Sequence, residues 1–168
     1  GTDGYIDRAS VDLNSYYLQG GYFAENTSVK LIAFAGKEKT YHAWGYATKK
    51  EMEDFGRRYN PCGEMYTDAN GNKHFYDDQT DNYLQKNYQL LFNHTFSTAW
   101  NLNVALHYTK GDGYYEEYKD GRSLIEYGLK PFTIDGTEIT KSDLVRQKKM
   151  DNKFGGGVFS LNYTVNRL

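Results

Sequence analysis

Residues 82–110 read NYLQKNYQLLFNHTFSTAWNLNVALHYTK, and two patterns of period two run through them. From Asn82 to Phe96 the even positions are Leu84, Lys86, Tyr88, Leu90, Phe92, His94 and Phe96. The odd positions are Tyr83, Gln85, Asn87, Gln89, Leu91, Asn93 and Thr95. From Trp100 to Lys110, Trp100, Leu102, Val104, Leu106 and Tyr108 alternate with Asn101, Asn103, Ala105, His107 and Thr109. Successive side chains of a strand point to opposite faces, so each half is a strand with one apolar face and one amide and hydroxyl face. Ser97-Thr98-Ala99 is the short turn between them.

The same pattern recurs near the end of the chain. Phe159, Leu161, Tyr163 and Val165 alternate with Ser160, Asn162 and Thr164. Two earlier segments, 14–24 and 28–36, are rich in Tyr, Phe, Val and Ile and are joined by Glu25-Asn26-Thr27. Their faces are mixed and their register is not legible. The expectation is an all-β, antiparallel meander of about five long strands, near 14–24, 28–36, 82–96, 100–110 and 153–165. Polar stretches at 37–80 and 111–150 are expected to be long loops, and loops of that length are usually functional. Thr48-Lys49-Lys50-Glu51 is a capping box that predicts a short helix from Lys49 to about Arg57. Asn70-Gly71 and Asp135-Gly136 sit between aromatic and β-branched residues and predict two small hairpins.

Composition narrows the class. Tyr (17), Phe (9) and Trp (2) make the chain 17% aromatic, with 17 Gly and 2 Pro, which favours strands. A net charge of −2 gives no bulk electrostatic case for nucleic acid or for an anionic surface. Mean hydropathy is −0.81, and no stretch approaches the ~18 apolar residues of a membrane helix. Strands of a membrane barrel average out as polar, so that value leaves a barrel open. Cys62 has no partner for an internal disulfide and reads as an incidental thiol. Gly1-Thr2-Asp3-Gly4-Tyr5-Ile6 carries no signal-peptide pattern and reads as a loop running into a strand, so a fragment of a longer protein is expected.

Three features favour a membrane barrel over a soluble sandwich. The strands exceed the ~5–6 residues usual in soluble sheets and reach the ~9–11 that cross a bilayer. Their polar faces are Gln, Asn, Ser and Thr, which suits a hydrated lumen. Their large aromatics sit near strand ends, where Trp and Tyr favour the membrane interface. Short turns alternating with long loops repeat the periplasmic and extracellular sides of such barrels. Tyr88, Leu90, Phe92, Trp100, Leu102, Val104, Leu106, Phe159, Leu161 and Tyr163 are the expected lipid-facing band. Lys86 falls on that face and needs a place near the outer rim. Five strands cannot close a membrane barrel, which takes at least eight, so further strands must come from a longer chain or from other copies.

Several segments resemble TonB-dependent receptors of Bacteroidetes-type bacteria. They are Gly36-Lys37-Glu38-Lys39-Thr40-Tyr41-His42-Ala43-Trp44, Tyr59-Asn60-Pro61-Cys62-Gly63-Glu64-Met65-Tyr66, and Asp78-Gln79-Thr80-Asp81-Asn82-Tyr83 followed by Tyr88-Gln89-Leu90. Leu102-Asn103-Val104-Ala105-Leu106-His107-Tyr108-Thr109-Lys110-Gly111-Asp112-Gly113-Tyr114-Tyr115-Glu116 resembles the family most closely, and the likeness covers most of the chain. It implies a section of a 22-stranded outer-membrane barrel with a plug domain outside this sequence. It also implies energy-coupled uptake of an iron chelate, haem, cobalamin or glycan through an inner-membrane energy-transducing complex.

Candidate ligand contacts are His42, Trp44, Tyr76, Tyr114, Tyr115 and Tyr118, as aromatic and imidazole groups of the long loops that could stack on a chelate or a sugar ring. The competing reading is an aromatic collar on the rim. His42, His74, Asp77 and Asp78 lack the spacing of a metal site, and no cofactor is implied. Asp68-Ala69-Asn70-Gly71-Asn72-Lys73 lacks the glycine and the closing glutamate of a calcium loop and reads as a hairpin turn. No nucleophile, base and orienter set points to an enzyme. The alternative is a soluble β-rich carbohydrate- or ligand-binding module whose apolar faces pack on each other.

Overall fold

A computed structural model describes residues 1–165 of the chain. Its strands are β1 (Thr2–Asp3), β2 (Ser10–Phe23), β3 (Thr27–Tyr41), β4 (Glu64–Thr67), β5 (Lys73–Phe75), β6 (Thr80–Thr95), β7 (Trp100–Ser123), β8 (Phe132–Ile134), β9 (Thr137–Ile139) and β10 (Lys141–Tyr163). One α-helix, α1 (Lys49–Phe55), lies between β3 and β4, and a 3-10 turn covers Leu124–Tyr127. Six strands form one sheet in the order β1-β2-β3-β6-β7-β10, and β4-β5 and β8-β9 are separate hairpins. The protein is therefore mostly antiparallel β, with the five long strands following one another in a meander.

The strand limits depart from the expected ones. β2 begins at Ser10 rather than 14, and β3 runs to Tyr41 rather than 36. β7 continues to Ser123 and β10 starts at Lys141, so most of the stretch 111–150 is strand and the true connection is 124–140. The other connection shrinks from 37–80 to 42–79. In these extensions charged residues occupy both faces, so no apolar period shows. What holds them is cross-strand partnership. Gln147 donates to Glu116, Arg146 pairs with Glu117, and Tyr118 donates to Asp143 at 2.6 Å.

The local expectations hold where turn and cap chemistry is explicit. Thr48 Oγ1 accepts from Glu51 N at 3.2 Å and the Glu51 carboxylate accepts from Thr48 N at 2.7 Å, closing the capping box of α1. The β8-β9 turn has Asp135 at φ 48° and Gly136 at φ 79°, the two left-handed residues of a type I′ hairpin. In the β4-β5 hairpin only Gly71 is left-handed (φ 85°). Its turn is organised by Asp68, whose Oδ1 accepts from Asn70 N and Asn72 N at 2.9 Å. Those bonds hold the Asp68 carboxyl down at about 2, the Asn72 amide contributing most.

The chain divides into two compact units. One comprises residues 1–12, 39–82 and 114–149; the other comprises 13–38, 83–113 and the residues from 150 onward. Most of the buried groups belong to the first, Tyr41, His42, Tyr59, Asn60, Cys62, Gly63, Gln79, Thr80, Glu117 and Leu124, whereas Ala35 and Gly111 are buried in the second. The second unit is five strand segments forming one layer.

Candidate functional site

In the second unit, side-chain contacts between neighbouring strands fix the register. Tyr17 stacks on Phe34, Thr27 Oγ1 lies 2.7 Å from His94 Nδ1, and Thr109 donates to Asn87 at 2.8 Å. Asn103 donates to Ser160 at 3.3 Å, and Trp100 packs on Tyr163 with ring centroids 4.6 Å apart. With alternation along each strand, these contacts sort the residues onto two faces. One carries a hydrogen-bonded run of Asn87, Asn93, Asn101, Asn103, Thr109 and Ser160. The other carries all ten residues of the expected apolar band, joined by Tyr16, Leu18, Tyr22, Val29 and Leu31 of β2 and β3, whose register the sequence left open.

The apolar face has aromatic rows at both ends. Tyr88 stands opposite Tyr108 at one end, and Phe96, Trp100 and Tyr163 form the other, with Phe96 N donating to Trp100 O at 3.0 Å. The strand climbs about 26 Å between the rows at ~3.3 Å per residue. Inclined at the ~40° of a barrel strand, that spans about 20 Å across the sheet. No second layer covers this face among the described residues: Leu18 is 70% and Phe159 78% exposed.

The first unit holds the other candidates. Residues 42–63 are fastened by Asn60, whose amide donates to Asp7 O and His42 O at 3.0 and 2.8 Å and accepts from Cys62 N at 3.0 Å. Arg8 donates to Asn60 O and lies over the Phe75 ring at 3.4 Å. His42 N donates to Gln79 O at 2.8 Å. His42 is thereby enclosed, its side chain 1% exposed, with Nε2 3.5 Å from Asp81 and neither ring nitrogen hydrogen-bonded. Burial pushes its pKa below the ordinary value, and the Asp81 and Glu117 carboxylates oppose that. Its ring stacks on Trp44 at 3.7 Å, and Trp44 meets Tyr115 edge-on at 6.1 Å. Trp44 remains 54% exposed, so the indole is open to solvent on one side and backed by a buried imidazole on the other. Lys148 lies 5.5 Å from the Tyr115 ring.

The six candidate residues thus separate into two groups. His42, Trp44 and Tyr115 come together. Tyr114 and Tyr118 lie on the opposite face of β7 from Tyr115, because that segment is strand rather than loop. Tyr118 meets Tyr76 there, ring centroids 6.4 Å apart. Their hydroxyls are engaged: Tyr76 donates to Glu116, and Tyr118 donates to Asp143 at 2.6 Å. The Asp143 bond pushes the Tyr118 phenol up to about 12, and burial followed by the Glu116 bond raises that of Tyr76. Sequence reading missed the framing polar groups Arg8, Asn60, Gln79, Glu117 and Arg146. Only the Asn60-Pro61 dipeptide, a turn signal, pointed to any of them. His74 serves the hairpin, stacked on Tyr66 at 4.5 Å with Nε2 3.2 Å from Asp68. Among the described residues no three His, Cys, Asp or Glu side chains converge as a metal-binding set.

No family model, curated protein or solved structure matches the chain.

Proposed function

We propose that the chain is a section of the wall and rim of an outer-membrane β-barrel, part of a TonB-dependent receptor for energy-coupled uptake of a scarce nutrient. The observation that carries this reading is the uncovered apolar face of the second unit, bounded at both ends by aromatic rows. Transferring one Leu or Phe side chain from water to an apolar phase is worth about 1.5–3 kcal/mol, so a face of this size in water is a strong drive to find lipid. The aromatic rows suit the two interfaces, and the Asn, Gln and Thr face suits a hydrated interior. The backbone groups on the edge of β2 away from β3, beyond its short pairing with β1, and on the outer edge of β10 have no strand partner among the described residues. In lipid those groups need partners, which strands elsewhere in a longer chain would supply.

Within this reading His42, Trp44 and Tyr115 belong to the ligand-binding side of the receptor. Trp44, with Tyr115 beside it, is the surface offered to a planar chelate or a sugar ring, and transport rather than catalysis is the activity. Coupling to the inner-membrane energy-transducing complex passes through a plug domain outside this sequence. Light-scattering mass of the full chain, with and without mild detergent, tests the reading against a soluble binding module. Association in buffer that detergent relieves is the expected result. A monomer of unchanged mass in both conditions contradicts it.

A further inference from the structure

The apolar face ends in a row of like charges. The contact of Thr109 with Asn87 sets the β6-β7 register, which puts Lys86 directly opposite Lys110. Between β7 and β10, Trp100 faces Tyr163 and Asn103 faces Ser160, and Glu116 faces Gln147 in the same register. A Cβ on Gly157 would lie 2.6 Å from Leu106, which confirms that register midway. It puts Lys153 directly opposite Lys110. Lys37 of β3 is diagonal to Lys86, as the bond from His42 N to Gln79 O and the Thr27–His94 contact fix the β3-β6 register.

Four lysines of four consecutive strands therefore share one face: Lys86, Lys110 and Lys153 one step beyond the Tyr88–Tyr108 row, and Lys37 one step further, opposite Leu84. Like charges directly opposite each other destabilise a sheet, so the row needs an anion. Lys110 and Lys153 each lie 3.8 Å from a carboxylate of their own strand, Asp112 and Asp151. Lys37 and Lys86 have no carboxylate partner among the described residues, so two positive charges remain uncompensated. From Lys86 to Phe96 the strand climbs about 33 Å, or about 25 Å across an inclined sheet, the height of the apolar band of a membrane barrel.

We infer that this row is a docking site for the phosphorylated head group of a membrane lipid, its acyl chains lying on the apolar band. The inference rests on the barrel reading above. Charge complementarity selects the phosphate. Continuity with the apolar face selects a lipid over a free anion, because an inorganic phosphate would use only the lysines.

The test places the full chain in phosphatidylcholine nanodiscs doped with diphosphoryl lipid A or with the same lipid stripped of its phosphates. Native mass spectrometry counts the lipid retained. The wild-type chain is expected to retain the diphosphoryl form selectively. The triple variant Lys86→Gln, Lys110→Gln, Lys153→Gln is expected to lose that retention by roughly 100-fold, at about fivefold per lysine. The triple Lys→Arg variant keeps it. Salt titration of the wild type gives a readout that needs no variant to fold: selectivity for the phosphorylated form falls as salt rises. Equal retention of both lipids, retention unchanged in the Gln variant, or full competition by millimolar inorganic phosphate overturns the inference while leaving the barrel intact. A chain that never enters the nanodisc removes the barrel reading and the lipid site together.

Discussion

At Gly111 the reason for a residue is steric. A Cβ there would overlap the Tyr83 hydroxyl and lie 2.7 Å from its Cζ. The Tyr83 ring lies across the strand at that point, and its hydroxyl accepts from Asn152 at 3.3 Å. Gly111→Ala is expected to cost about 1–3 kcal/mol, as overpacking does. Tyr83→Leu in the same chain is expected to return part of that, a coupling that a double-mutant cycle of thermal or denaturant melts reads directly. His42 makes the residue-scale prediction for pH. Its folded pKa lies below the unfolded value of 6.5, so the unfolded chain takes up the proton first. The stability tied to its neutral, buried form is complete above 6.5 and is lost as pH falls from there through the lowered folded value. Melts between pH 7.5 and 4.5 are expected to weaken with a slope of at most about 1.4 kcal/mol per pH unit from this group. His42→Phe, which keeps the stack on Trp44, is expected to flatten that portion; an unchanged slope would contradict the assignment. None of this was legible in the sequence. His42 was a loop histidine there, because Asn60, Gln79, Asp81 and Glu117 enclose it from distant positions in the chain.

At the scale of elements, legibility follows the range of the interactions involved. The capping box, the two hairpins and the apolar alternation of 82–110 act over a few residues, and all were readable. The strand segments 111–123 and 141–152 were not, because their pairing rests on contacts such as Glu116–Gln147, Glu117–Arg146 and Tyr118–Asp143. That misreading also misgrouped the tyrosines, since adjacent strand residues cannot share one stacking site. The cap of α1 yields a local prediction. Thr48→Ala removes the acceptor for Glu51 N and is expected to cost the helix about 1 kcal/mol. Hydrogen exchange of the amides of residues 49–55 should rise selectively. Acceleration spread evenly over the β4-β5 hairpin would mean that the helix and hairpin melt as one. In the β8-β9 turn, Gly136→Val puts a β-branched residue at φ 79° and is expected to open the hairpin, seen as lost protection of residues 132–139.

At the scale of the molecule, the two units differ in what stabilises them. The first keeps a polar core of its own, built from Asn60, Gln79, Glu117 and their partners. The second exposes an apolar face with aromatic rows at both ends, and the proposed barrel rests on it. Trp100 stands in one of those rows, whereas Trp44, the other tryptophan, stacks on His42 in the first unit. The measurement that tests the barrel reading most directly is fluorescence of the Trp44→Phe chain, where Trp100 is the only indole, in bilayers of lipid brominated near the head group. The account predicts strong quenching of Trp100 by the bromines and weak quenching by aqueous iodide, with the reverse for Trp44 in a Trp100→Phe chain. Trp100 quenched by iodide and indifferent to brominated lipid would contradict it.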